Sequence, residues 1–240
     1  MKHDMTAGKE WKLILFFTLP IMAGNLLQQL YNVVDGIIVG NFVGEVSFAA
    51  VATTMPLVLL YLALAFGLSV GVGVTVSQYF GAGKEKVLPT AIDTALILLG
   101  ICGLVLTVVG VIISPLFLRY ILNVPEHILP EAVVYMRIYS VGLFFQFLYN
   151  CIAAILRGLG DSKATLYFLL VAAILSALMT FLFVIVIPWG VAGAAFSTVL
   201  AQGACAAVSY IYLRKRHPFI KSSRHWNKKI AFTINSSTPS

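Results

Sequence analysis

The feature that most constrains the fold of this chain is an uncharged stretch that runs from Ala164 to Leu213. As one helix it would be about 75 Å long at 1.5 Å per residue, whereas the hydrocarbon core of a bilayer is about 30 Å thick. The stretch must therefore fold back on itself. Pro188, Trp189 and Gly190 mark the break, because proline lacks the helical N–H donor and glycine tolerates turn dihedrals.

The rest of the chain consists of apolar blocks of similar length. Hydrophobic residues make up 60% of the sequence and charged residues 10%, whereas soluble domains average roughly 45–50% and about 25%. A bilayer span needs about 20 apolar residues, so each block is long enough to cross. We therefore predict an all-α integral membrane protein, a bundle of six transmembrane helices near residues 13–41, 47–80, 91–118, 131–157, 163–187 and 191–213.

The distribution of positive charge predicts the orientation of the helices. The net charge is +7, and fourteen of the sixteen Lys and Arg residues fall in segments on the same side as the N-terminus. This bias is typical of the cytoplasmic side of a multi-pass protein, and it indicates the cell inner (plasma) membrane rather than nucleic acid as the partner. We predict a cytoplasmic N-terminus over 1–12, a helical lobe over 13–213 and a basic cytoplasmic tail over 214–240.

The first helix carries a polar face within the membrane. Asn25, Gln28, Gln29, Asn32 and Asp35 fall within a sector of about 120° on the helical wheel. This face lines a cavity or, alternatively, joins the helix to its neighbours through amide hydrogen bonds. Asp35 favours the cavity, because a carboxylate deep in a span is costly unless it is hydrated, paired or protonated. Such a carboxylate has a physical basis for binding and releasing a proton or Na⁺.

The fourth helix repeats this pattern. Tyr135, Tyr139, Gln146 and Asn150 lie within about 60° of one another on the helical wheel. For Tyr135, a place in the interfacial aromatic belt is an equal alternative. Gln146 and Asn150 lie deeper in the span, so we expect them to line the cavity together with Tyr139.

Two later helices carry polar pairs spaced by one turn. Ser176 and Thr180 lie on the fifth helix, and Thr198 and Gln202 lie on the sixth. Hydroxyl side chains alone are weak signals of a site, since they can bond the carbonyl of the preceding turn.

Several other features have structural explanations. The spacing of Gly67 and Gly71 predicts close helix packing, and Asp161 or Ser162 is expected to cap the helix that follows. The three cysteines lie within apolar helices and are expected to pack there. No HExxH or phosphate-loop spacing is present. We therefore expect that the protein is not an enzyme, that it uses no cofactor, and that it binds no metal ion other than Na⁺ at Asp35.

Four segments carry a joint signature. They are Leu19-Pro20 with Asn25, Gln28 and Val34-Asp35-Gly36; Ser77 to Gly83; Arg157 to Lys163; and Trp189 to Ala195. Together they resemble the multidrug and toxic compound extrusion (MATE) family of cation-coupled antiporters, in the family's order and over nearly all of residues 11–213. The resemblance implies one six-helix lobe of a two-lobed (6+6) transporter that exports amphiphilic or cationic drugs in exchange for H⁺ or Na⁺.

The resemblance also implies a cation site. Asp35 matches the family's first-helix Asp, and Thr198 matches a Thr on the sixth helix. Ser176 and Thr180 stand where the family often has an Asn and an Asp, so one carboxylate remains where two are usual, which favours a proton as the ion. These four residues form the candidate cation-coupling set. The candidate lining residues of the substrate cavity are Asn25, Gln28, Asn32, Tyr139, Gln146 and Asn150.

The length of the chain leaves alternatives open. The family has two lobes, and the tail from Trp226 echoes the segment from Trp11 to Pro20, as though a second repeat begins within a truncated inter-lobe linker. We expect membrane lipid, small drugs and a missing C-terminal lobe as partners. One alternative is a truncated fragment without transport activity. Another is a lipid-linked-oligosaccharide flippase, whose cavity needs cationic residues to hold pyrophosphate and for which only Arg137 is a candidate.

Overall fold

The computed structural model describes residues 18–19, 22–24, 26, 30, 33, 36–84 and 86–217, and every regular element within them is helical. The first helix, α1, is described without gaps over residues 36–42. The other helices are α2 (Glu45–Gly81), α3 (Leu88–Leu116), α4 (Leu129–Gly158), α5 (Ser162–Thr180) and α6 (Gly190–Arg216). Short π-helical turns, Phe117–Ile121 and Phe181–Val186, extend α3 and α5.

Five of the six predicted membrane spans are confirmed. Helices α2 to α6, with the π-helical turns of α3 and α5, are long and apolar enough to cross a bilayer, and their ends agree with the predicted bounds to within three residues. Most of the first predicted span, 13–41, lies outside the described residues, as do 1–12 and 218–240. Helix α6 continues to Arg216, so its last turn takes in the first three residues of the predicted basic tail.

The predicted break between the last two spans is also confirmed. The π-helical turn that extends α5 ends at Val186, and α6 begins at Gly190. Gly190 has a φ of +59°, in the left-handed region that favours glycine. The turn before α5 follows the predicted capping as well, because the Asp161 carboxylate accepts a 3.2 Å hydrogen bond from the Ala164 amide.

Helix α4 is the centre of the bundle. It contacts α2, α3, α5 and α6, and it is the most buried of the five spans. Its fully buried side chains include Met136, Leu143, Phe147 and Ile155. The outer surfaces of the other helices expose large apolar side chains, which suit the acyl chains of a bilayer. The polar residues on and around α4 are therefore the ones that need an explanation.

Close helix contact occurs at other glycines, of which Gly110 is one, and not at the pair that the spacing indicated. Gly67 and Gly71 are exposed, and an added Cβ would meet no described atom within 4 Å, so the predicted close packing there is wrong within the described part of the chain. A Cβ at Gly110 would lie 2.6 Å from the Ser140 hydroxyl and 3.0 Å from the Tyr61 hydroxyl, where α2, α3 and α4 meet. Spacing puts two glycines on one face, but it does not say whether that face meets another helix.

Candidate functional site

A cavity of about 540 Å³ lies near the end of the bundle at which α2, α4 and α6 begin. This volume is within the range of roughly 300–1,000 Å³ that is typical of small-molecule sites. Residues of the first helix and of α2, α4 and α6 line it, and none of the described residues of α3 or α5 does. The lining residues are Val33, Gly36, Ile37, Val39, Gly40, Asn41, Phe48, Val51, Ala52, Met55, Val58, Leu62, Tyr135, Tyr139, Gln146, Ala194 and Thr198.

The chemistry of this cavity is apolar with a few hydrogen-bonding groups. The polar side chains on its wall belong to Asn41, Tyr135, Tyr139, Gln146 and Thr198. None of the described lining residues is charged. Such a wall can bury an aromatic or aliphatic body and orient its polar groups. It lacks, among the described residues, the clustered cations that hold phosphate groups.

Three of the four polar residues predicted to share a face of α4 line the cavity, and the fourth does not. The rings of Tyr135 and Tyr139 stack with centroids 6.0 Å apart on the cavity wall, and Gln146 is 5% exposed beside them. Asn150 is also buried, but its side-chain amide donates a 2.9 Å hydrogen bond to the backbone carbonyl of Gln146. It is not among the residues that line the cavity. Two of the three lining residues expected on this helix, Tyr139 and Gln146, are therefore on the wall, and Asn150 is one turn beyond it.

Of the candidate cation-coupling residues on α5 and α6, only the one on α6 lines the cavity. Thr198 is on the cavity wall, and its hydroxyl donates a 3.2 Å hydrogen bond to the Ala194 carbonyl. Thr180 instead lies 2.7 Å from the Ser197 hydroxyl, in the contact between the two helices. Ser176 is buried, and its hydroxyl oxygen has no hydrogen-bond partner among the described residues. Neither α5 residue is among the lining residues.

The candidate residues of the first helix lie outside the described residues. They are Asn25, Gln28, Asn32 and Asp35. The described residues on either side of Asp35 in the sequence, Val33 and Gly36, both line the cavity.

The structure adds residues that the sequence reasoning missed. Asn41 is on the cavity wall near the end of α1, where a single polar residue beside a turn gives no periodic signal. Ser197 pairs with Thr180, and its place next to Thr198 was the only hint of this contact in the sequence. Within the described part of the chain, no group of three His, Cys, Asp or Glu side chains is positioned to hold a metal ion.

Comparison with known proteins identifies the family. The MatE family profile matches residues 20–182. The chain is 35% identical over 213 residues to the probable multidrug resistance protein YpnP of Bacillus subtilis (strain 168), covering 89% of this chain and 48% of that protein. It is 32% identical over 225 residues to the probable multidrug resistance protein YoeA of the same organism, covering 91% of this chain and 48% of that protein.

Comparison of the fold with solved structures also points to MATE transporters. The chain superposes with a TM-score of 0.82 and 27% identity on an outward-facing multidrug resistance MATE family transporter of the MOP superfamily, covering 92% of this chain and 49% of that structure. The chain thus spans about half the length of the relatives it matches, as expected for one lobe of a two-lobed fold. With a profile match over most of its length and this shared helical fold, the chain belongs to the MatE family of multidrug and toxic compound extrusion proteins.

Proposed function

We propose that this chain is one lobe of a cation-coupled antiporter in the plasma membrane, which moves amphiphilic or cationic drugs out of the cell in exchange for H⁺ or Na⁺. The observation that carries the proposal is the cavity of about 540 Å³, with its apolar wall and a few hydrogen-bonding groups. Its size and lining suit a drug-like molecule with an aromatic body. Both termini of the lobe face the cytoplasm in this proposal.

Coupling depends on Asp35 in this proposal. Its sequence neighbours Val33 and Gly36 line the cavity, and Thr198 is on the same wall. Thr180 and Ser176 are the proposed polar neighbours on α5, where neither supplies a carboxylate. A single carboxylate favours a proton over Na⁺, because Na⁺ binding needs several oxygen ligands fixed around the ion, whereas a proton needs one basic group.

Transport also requires a second lobe. Alternating access works by rocking one bundle against another around a site between them. One bundle provides one wall of that site. We therefore propose that the chain binds drugs by itself and exports them only together with a matching C-terminal lobe.

Two alternatives to the drug exporter make different predictions. A lipid-linked-oligosaccharide flippase needs cations in its cavity to hold pyrophosphate, but no Lys or Arg is among the described lining residues, and Arg137 is exposed away from the wall. This favours the drug exporter. The second alternative is a fragment without transport activity, and a transport experiment distinguishes it from the drug exporter.

The experiment measures ethidium accumulation in a host that lacks its own drug pumps. Cells expressing the chain alone should accumulate as much ethidium as cells with an empty vector. Cells that also express a matching C-terminal lobe should accumulate less. Unchanged accumulation in the co-expressing cells, with both lobes present in the membrane, would favour the non-transporting alternative. Lower accumulation with the chain alone would show that the second lobe is not required.

A further inference from the structure

A second, much smaller cavity adjoins the main one between α4 and α6. Its volume is about 10 Å³, which is close to the space that one water-sized group occupies. Tyr139, Gln146 and Thr198 line both cavities, so the small one is a side pocket of the drug cavity. Its remaining lining residues are Gly142, Leu143, Val199 and Gln202.

The side pocket is bounded by a close helix crossing. An added Cβ at Gly142 would lie 3.0 Å from a methyl group of Val199, so α4 and α6 leave little room beside it. Gln202 lies one turn beyond Thr198 on the same face of α6. It is 8% exposed, and its side-chain oxygen is buried without a hydrogen-bond donor among the described residues.

The two α6 side chains both offer acceptors to this pocket. The Thr198 hydroxyl donates its hydrogen bond to the Ala194 backbone carbonyl, so its oxygen lone pairs remain available as acceptors. The Gln202 oxygen adds an amide acceptor. A group that fills the pocket should therefore be small and should carry hydrogen-bond donors. A primary ammonium group meets both conditions, since it is about the size of water and has three N–H donors. A quaternary ammonium group is larger and has none.

We propose that Gln202 and Thr198 form a subsite that binds the primary ammonium group of a substrate, while the substrate's apolar body occupies the main cavity. This inference rests on the proposed function and gives it a substrate preference: primary amines bind more tightly than quaternary ammonium ions of the same shape. Gln202 sets the preference because its buried oxygen lines the side pocket and receives no hydrogen bond from the described residues.

The test uses the full chain, purified in lipid nanodiscs, and two fluorescent probes. One is dansylcadaverine, which ends in a primary ammonium group, and the other is its trimethylammonium derivative. Wild-type protein should bind the primary amine about tenfold more tightly, as expected for hydrogen bonds to a charged group. Gln202→Leu should remove this preference by weakening amine binding, and the affinity for the trimethyl probe should stay the same.

Two further variants keep the test decisive. Gln202→Glu preserves the shape and an acceptor oxygen, so it should keep or increase the preference for the amine. Thr107→Val is the matched control, because the Thr107 hydroxyl is also buried without a described partner but is not part of either cavity. It should leave both affinities unchanged.

The outcomes separate this inference from the function on which it rests. Equal binding of the two probes by wild-type protein, or a preference that survives Gln202→Leu, would overturn the subsite and leave the drug cavity standing. Loss of the preference in Gln202→Glu would overturn it as well. Failure of the folded protein to bind either probe would instead contradict the proposed function, and the subsite would fall with it.

Discussion

The side-chain hydroxyl groups of Thr180 and Ser197 lie 2.7 Å apart and join α5 to α6 in a fully buried contact. Ser197 donates its own proton to the Ala194 carbonyl, 2.7 Å away, so the shared proton comes from Thr180. The fifth helix is therefore bound to the sixth through this pair, and it places no described residue on the cavity wall. The described wall of the cavity comes from the first helix, α2, α4 and α6 instead.

The first prediction concerns this hydroxyl pair. Thr180→Val removes the donor and keeps the shape, so it should lower the free energy of unfolding by about 1 kcal/mol, the usual net value of one hydrogen bond. Thr180→Ser keeps the hydroxyl and should lose less. Unfolding of the purified protein in mixed micelles by increasing SDS measures the difference. Equal stability of Thr180→Val and wild type would mean that the pair does not hold the two helices together.

A second prediction separates the two amides of α4. Gln146 is on the cavity wall, whereas Asn150 is bonded one turn beyond it. Gln146→Leu should weaken binding of dansylcadaverine to the purified chain by about tenfold, because it removes a hydrogen-bonding group from the site. Asn150→Leu should leave the affinity near that of wild type and lower the free energy of unfolding, because it removes a buried hydrogen bond. Fluorescence titration gives both values, and a larger effect of Asn150→Leu on affinity would place that residue in the site.

Helix packing provides a third prediction with an internal control. Gly110→Ala puts a methyl group 2.6 Å from the Ser140 hydroxyl, so it should destabilise the protein by about 1–3 kcal/mol. A Cβ at Gly67 meets no described atom within 4 Å, so Gly67→Ala should be neutral or stabilising by up to about 1 kcal/mol, because alanine favours the helix. Comparable destabilisation by the two variants would contradict the helix contacts described above.

The orientation of the lobe gives a fourth prediction. Reporter fusions after Gly83, after Asp161 and after Arg216 should report the cytoplasm, and fusions near Glu45 and Glu126 should report the outside. The positive-inside distribution of Lys and Arg is the reason. Alkaline phosphatase and green fluorescent protein fusions at each point provide complementary signals. A cytoplasmic Glu126 would rule out the six-helix topology.

The sequence was sufficient for much of the architecture. Span length, the break at Pro188 and the cap at Asp161 are local properties, since each depends on a few neighbouring residues, and the structure confirms them. Helical periodicity also placed Tyr139 and Gln146 on the wall. It failed for Asn150, because a helical wheel gives the direction of a side chain and does not show where along the helix a cavity ends.

Contacts between helices were harder to predict. The Thr180–Ser197 pair depends on how α5 and α6 are rotated against each other, and a serine alone gives no signal of its partner. The same limit explains why Gly67 and Gly71 suggested packing that Gly110 provides. Asp35 and the polar residues before it lie outside the described residues, so their role stays a prediction.

The most direct test of the central claim is proton-driven ethidium transport by inside-out membrane vesicles that contain this chain together with a matching C-terminal lobe. An imposed pH gradient should drive transport by the wild-type protein. Asp35→Asn should abolish it, because the amide has nearly the same shape but cannot exchange a proton, and Asp35→Glu should retain part of the activity. Transport by Asp35→Asn at the wild-type rate, at equal protein in the membrane, would contradict the account.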